Sequence, residues 1–245
     1  MNVSHEMEHN IEKGPSYAVL RTTMDRDDRL MAETGAMISR SESVEADAEV
    51  GGGEGIGGII KSAISSSQDV VENAFEATAD GAELTLAPDH PGDIFGVDVG
   101  RDGPIKVNSG ATLAWEPTVE RSTAFNDAQG FFSSGSLRVL ELSGTGRCFL
   151  SAYGSIVETD VESDDPPVVD TDHLIAWTDG LTVSRETDGT IKSAMLGGEG
   201  IVSKFSGEGR VWIQTRNPAV FRTTAGGGGS GDDQGDEGVG VEDFL

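Results

Sequence analysis

The segment Ser143-Gly144-Thr145-Gly146-Arg147-Cys148-Phe149-Leu150 returns 63 residues later as Ser206-Gly207-Glu208-Gly209-Arg210-Val211-Trp212-Ile213. Both Gly-x-Gly-Arg turns are kept, and the positions after them stay apolar. A second pair has almost the same offset: Ala114-Trp115 returns 62 residues later as Ala176-Trp177. Two matches at one period mark a repeated β unit. A repeated unit that cannot bury its apolar face alone must bury it against its neighbours.

The match extends outwards. Gly92-Asp93-Ile94 aligns with Gly154-Ser155-Ile156, and Val97-Asp98-Val99 with Thr159-Asp160-Val161. A fainter first copy runs from Ala18-Val19-Leu20 to Leu84-Thr85-Leu86. The chain therefore reads as three units of one β domain, about 14–90, 91–153 and 154–222. Between the Gly and Pro turns lie short runs rich in Val, Ile, Leu, Thr and aromatic residues. Their even spacing predicts an all-β sandwich, barrel or β-helix-like fold.

Within the first unit, residues 17–24 read as a strand and 25–28 as a polar turn. Residues 29–39 read as one extended stretch with Gly35 as a bulge. Val44, Ala46, Ala48 and Val50 alternate with acids, the period of a half-exposed strand. The Gly-rich run 51–58 breaks the β pattern, and one or two helical turns are expected near 59–66. Its Gly53-x-Gly55-x-x-Gly58 spacing matches a dinucleotide fingerprint in form. The strand-helix-strand context that gives the fingerprint its meaning is missing. With Ile56, Ile59 and Ile60 the run reads instead as a flexible hairpin tip, or as an apolar loop that touches a partner or a membrane surface.

The ends are read from composition. Residues 1–13 are polar and acidic and are expected to form a mobile arm, although His5 and His9 would share a face on a helix. Residues 223–245 hold Gly226-Gly227-Gly228-Gly229 and six acids without a base, so they cannot bury enough apolar area to offset their ordering entropy. A disordered tail is expected there.

Seventeen Lys and Arg stand against 43 Asp and Glu, a net charge of −26. The bases are mostly Arg, with Lys at 13, 61, 106, 192 and 204 only. An acidic, Lys-poor surface points to a protein that works in high salt. It also opposes nucleic-acid binding, which calls for a basic patch. A single cysteine excludes an intrachain disulfide. No apolar run reaches the length of a membrane-spanning helix. The expected location is the cytoplasm.

No residue set reads as a catalytic, metal or cofactor site. Cys148 aligns with Val211 and reads as a small buried hydrophobe. His173 and His90 read as turn residues, and Asp160, Asp164 and Asp165 lack the order of a calcium loop. Phe149 and Trp212 hold equivalent places, on the strand face opposite their neighbours, together with Arg147 and Arg210. An Arg-plus-aromatic face is either an interface between molecules or a surface packed under a neighbouring sheet.

Several ordered motifs resemble one known family. They are Gly14-Pro15-Ser16-Tyr17-Ala18, Glu33-Thr34-Gly35-Ala36-Met37, Leu86-Ala87-Pro88 with Pro91-Gly92-Asp93-Ile94, Ser143-Gly144-Thr145-Gly146, Ser151-Ala152-Tyr153-Gly154, and Ile213-Gln214-Thr215-Arg216-Asn217-Pro218. Over roughly residues 11–219 they are similar to the altered-inheritance-of-mitochondria (mitochondrial biogenesis) family. The resemblance implies antiparallel sheets in a double-stranded β-helix-like arrangement, like that of the tryptophan RNA-binding attenuation protein. It brings no catalytic motif, and mitochondrial members are linked to inner-membrane organisation. The expectation is a non-enzymatic β scaffold or binding protein, acting as a homo-oligomer or through a partner. The alternatives are RNA or nucleotide binding, by analogy of fold, and an enzyme with a small-molecule pocket.

The charge yields a direct test. Raising salt from 0.1 M to 1 M shortens the screening length from ~10 Å to ~3 Å. The melting temperature should therefore rise steadily with KCl, because self-repulsion of the compact state is relieved. A melting temperature that is flat or falls in molar KCl would remove the high-salt reading.

Overall fold

The computed structural model describes residues 7–50, 71–123, 139–162, 166–185 and 202–218. A first strand, β1 (Glu8–Glu12), precedes three sets of six strands. The first set is β2 (Val19–Met24), β3 (Arg29–Glu33), β4 (Met37–Arg40), β5 (Val44–Val50), β6 (Val71–Ala77) and β7 (Ala82–Leu86). The second is β8 (Gly92–Asp98), β9 (Ile105–Asn108), β10 (Thr112–Trp115), β11 (Val119–Thr123), β12 (Val139–Gly144) and β13 (Arg147–Tyr153). The third is β14 (Ile156–Val161), β15 (Val168–Asp170), β16 (Leu174–Thr178), β17 (Leu181–Arg185), β18 (Val202–Gly207) and β19 (Gly209–Gln214). Among the described residues one short α-helix, α1 (Val99–Asp102), follows β8.

The strands form four antiparallel sheets. Sheet A has the order β1-β2-β7-β4, sheet B β5-β6-β3-β10-β13-β8, sheet C β11-β12-β9-β16-β19-β14, and sheet D β15-β18-β17. Each set of six makes the same two half-sheets. In the first they are β2-β7-β4 and β5-β6-β3, in the second β8-β13-β10 and β11-β12-β9, and in the third β14-β19-β16 and β15-β18-β17. The rear half-sheet of one set joins the front half-sheet of the next edge to edge. At the first joint β10 pairs with β3, Ala114 opposite Ala32 and Trp115 opposite Met31. At the second, β16 pairs with β9, Ala176 opposite Val107 and Trp177 opposite Lys106.

The repeat is kept to the residue. Arg147 lies opposite Asp98 as Arg210 lies opposite Asp160. Register slips by one residue between Met37 and Ser39, between Thr112 and Ala114, and between Leu174 and Ala176. The starts of the three units meet in line, Tyr17 bridging Gly92 and Gly92 bridging Gly154.

Three apolar layers separate the sheets. Leu20, Met24, Leu84 and Leu86 of sheet A pack on Leu30, Phe75, Ile94 and Phe149 of sheet B. The opposite face of sheet B, with Trp115, Cys148 and Leu150, packs on Ile105, Leu142, Ile175 and Trp212 of sheet C. The remaining face of sheet C, with Leu174, Trp177 and Val211, packs on Leu181 and Phe205 of sheet D.

This layering explains the sequence patterns. Sheet A has one face towards solvent, so β2 and β7 alternate buried and open positions. Sheets B and C are covered on both faces, so β10 and β13 are near-continuous apolar runs, buried along their length.

Four expectations change. The polar segment expected as a mobile arm is partly β1, which pairs with β2 from Glu8 opposite Thr23 to Glu12 opposite Val19. The stretch 29–39 is two strands rather than one, because Gly35 at φ +87 turns the chain between them. Strand β11 falls where the sequence offered no signal, in the polar run Val119–Thr123. The described helix is α1, capped by Asp98 accepting from the Arg101 amide; the helical turns expected near 59–66 lie outside the described residues, as do the Gly-rich run and the tail.

The Gly-x-Gly turns can be tested. Gly144 has φ +87, and a Cβ there would stand 2.4 Å from the Thr118 carbonyl oxygen. Gly207 has φ +104, with the same 2.4 Å approach to the Gly180 carbonyl oxygen. Gly81 also has positive φ, at +72, but faces open space. Gly81→Ala should cost only the backbone term, about 1–2 kcal/mol. Gly144→Ala should cost clearly more in denaturant unfolding, since a backbone oxygen must move. Equal losses at the two sites would show that close approach is not what selects glycine in this turn.

Candidate functional site: the joints and the seam between units

Each joint brings polar side chains from two units together. At the first, Arg121 of β11 reaches across to sheet B. Its Nη2 is 3.0 Å from Glu33 Oε1 and its Nη1 3.4 Å from Glu72 Oε1. The guanidinium lies 3.8 Å from the centre of the Trp115 ring, a cation–π contact. Thr112 Oγ1 donates to Glu33 Oε1 at 2.6 Å. At the second joint Lys106 Nζ is 2.9 Å from Asp179 Oδ1, and the Asp179 amide donates to the Pro104 carbonyl at 3.1 Å.

The β1 strand closes another contact between units. The His9 side chain is 2 % exposed and stands edge-on to Phe149 at 4.7 Å. Its Nδ1 is 3.1 Å from Thr22 Oγ1, and its Nε2 is 3.8 Å from Glu116 Oε1, longer than a hydrogen bond. Glu116 also accepts from the Arg147 amide at 3.0 Å. The His9 ring is the chief cause holding the Glu116 carboxyl below its ordinary range. Burial opposes it, and the Arg147 amide reinforces it.

Where the unit starts meet, a cleft of about 250 Å³ is lined by residues including Tyr17, Pro91, Tyr153, Ser155, Thr215 and Arg216. His90 packs edge-on against Tyr153 at 5.7 Å. The lining offers the hydroxyls of Ser16, Tyr17, Tyr153, Ser155 and Thr215 and the guanidinium of Arg216. Among the described residues no group of three His, Cys, Asp or Glu is placed to hold a metal ion.

The residues picked from sequence do not form one outer face. Phe149 is 2 % exposed and lies between sheets A and B, while Trp212 is 4 % exposed and lies between sheets B and C. Their burial corrects the reading of an interface between molecules. Both pack under a neighbouring sheet, because sheets B and C are covered on both faces. Trp212 stacks on Phe95 at 5.9 Å, and its Nε1 donates to Glu158 Oε2 at 3.0 Å. Arg210 pairs with Glu158 at 3.0 Å and Asp160 at 3.3 Å. Arg147 sits half-buried at the start of β13. Ile56, Ile59 and Ile60 lie outside the described residues, as do Asp164 and Asp165.

Cys148 is fully buried, and burial pushes its thiol up to about 12. It packs as a core residue, as its partner position Val211 does. His173 ends a 3₁₀ turn and its Nδ1 lies 2.7 Å from the Gln214 carbonyl. The sequence leaves Arg121 and Glu116 unread and puts His9 in a mobile arm, since each meets its partners only across a contact between units.

The chain matches the model of the mitochondrial biogenesis AIM24 family over residues 9–216. It belongs to that family. It is 25 % identical over 228 residues to an uncharacterised protein of Streptococcus pyogenes serotype M6, covering 91 % of each chain. It also matches the crystal structure of a Streptococcus pyogenes protein with a TM-score of 0.69 at 22 % identity, covering 89 % of this chain and 98 % of that one. The latter likeness establishes the shared fold. No helix among the described residues is long and apolar enough to cross a membrane.

Glu116 sets up a pH test. Its folded pKa lies below the ordinary 4.5, so its contribution to stability is complete above pH 4.5 and is lost as pH falls through the lower folded value. Glu116→Gln should melt at a lower temperature than wild type near pH 6. The gap should close in strong acid, where both side chains are neutral. A gap that is independent of pH would mean that the carboxylate's charge contributes nothing.

Proposed function

We propose that this AIM24-family chain is a non-enzymatic β scaffold that acts through assembly or contact with a partner. The observation that carries this reading is the joint. Two of the four sheets exist only because half-sheets from successive units pair edge to edge. The fold is thus already an assembly of three like parts, and its charged clusters at Arg121, Lys106 and Glu116 are spent on holding those parts together.

The net charge of −26 supports a role in concentrated salt and opposes the alternative of RNA or nucleotide binding. The family's association with mitochondrial biogenesis fits a structural role.

The test is native mass spectrometry of the full chain purified from its own cells in molar KCl. Expected are polypeptide-only complexes, with no nucleic acid, nucleotide or metal held in stoichiometric amount. A lone chain carrying one of those in stoichiometric amount would overturn the reading.

A further inference from the structure

We propose that copies of this chain join head to tail, with the edge strand β15 of one copy paired antiparallel to the edge strand β4 of the next. This rests on the scaffold reading above and names its surface and its partner, a second copy.

The argument starts from the joints inside the chain. Each uses the rear strand of one unit (β3, then β9) and the front strand of the next (β10, then β16). Among the described strands one front strand and one rear strand are left over. They are β4 at the edge of sheet A and β15 at the edge of sheet D.

Burial marks these two strands as unfinished. Strands β10 and β16 hold the same place in their units as β4, and all four residues of β10 and the first four of β16 are buried. All four residues of β4 are exposed, Met37 at 42 % and Ile38 at 56 %. The positions equivalent to Ile38 are Leu113 and Ile175, both within apolar layers. On the other edge Val168 of β15 is 50 % exposed. An open edge carrying large apolar side chains is a template for another strand.

The register follows from the repeat. Val168 and Val169 sit opposite Lys204 and Ser203 as Lys106 and Val107 sit opposite Glu141 and Leu140. Ser39 and Arg40 sit opposite Thr85 and Leu84 as Ala176 and Trp177 sit opposite Trp212 and Val211. Since Val107 faces Ala176 and Lys106 faces Trp177, Val169 of one copy faces Ser39 of the next, and Val168 faces Arg40. Contacts of this kind join two different surfaces, so they generate a ring where the rotation closes and a filament where it does not. Repulsion between copies of charge −26 makes the association depend on salt.

The experiment uses the full chain in molar KCl. Light scattering should give masses at multiples of 25.6 kDa, falling towards one chain as salt is removed. Ile38→Lys, at an exposed position, should keep the circular dichroism spectrum and weaken association at least tenfold. Arg40→Cys chains mixed with Val168→Cys chains should form a disulfide-linked pair containing one of each. Neither variant alone should cross-link, and Cys148 is buried and silent. A single-chain mass at every salt and concentration overturns the joint. So does assembly that Ile38→Lys leaves intact, or cross-linking of each variant with itself at the rate of the mixture. Assembly through another surface would reject this joint and leave the scaffold reading standing. Stoichiometric nucleic acid or metal on a lone chain would reject that reading too.

Discussion

The structure depends on backbone pairing at two sheet edges, β3 with β10 and β9 with β16. Each hydrogen bond there contributes only about 0.5–1.5 kcal/mol net. Their larger effect is positional. They make half-sheets from different units coplanar, and a sheet twice as wide can be covered on both faces by its neighbours. The three apolar layers follow from that geometry. Without the joints, β10 and β16 would present their apolar side chains at an open edge, as β4 does.

Equivalent positions then diverge according to what faces them. Thr85, Phe149 and Trp212 occupy one place in three units. Thr85 is half-buried on the solvent side of sheet A, while Phe149 lies under sheet A and Trp212 under sheet B. The position is polar where nothing covers it and aromatic where a sheet does. The same logic places Cys148 and Val211 in neighbouring layers, each shielded from solvent. Repetition of the backbone constrains which side chains meet, and the layer order decides which kind of side chain is stable there.

Polar chemistry is concentrated where units meet. Arg121 neutralises Glu33 and Glu72 while its guanidinium covers Trp115, so a cation and two carboxylates fit beside an apolar layer. A buried charge persists only when an opposite charge is close enough to offset its desolvation. The His9 ring is enclosed by Thr22, Phe149 and Glu116. In an acidic chain Arg121 and Lys106 meet their carboxylates where units join, and those contacts tie the units together.

Much of the fold was legible in the chain itself. The 62–63-residue offset, the Gly-x-Gly turns and the strand rhythm determined antiparallel β units, because side-chain period and turn chemistry are local properties. The family motifs were legible for the same reason. The strands missed, β1 and β11, are polar segments whose pairing partners supply their reason to be strands. The Phe149 and Trp212 positions could be matched from sequence, but not assigned to interior or surface, since alternation says which residues share a face and not what covers it. Which edges pair, which layer each aromatic enters and which acid each Arg meets were decided by tertiary structure alone. Those contacts join residues tens of positions apart, and they depend on a non-local closure that no local pattern encodes.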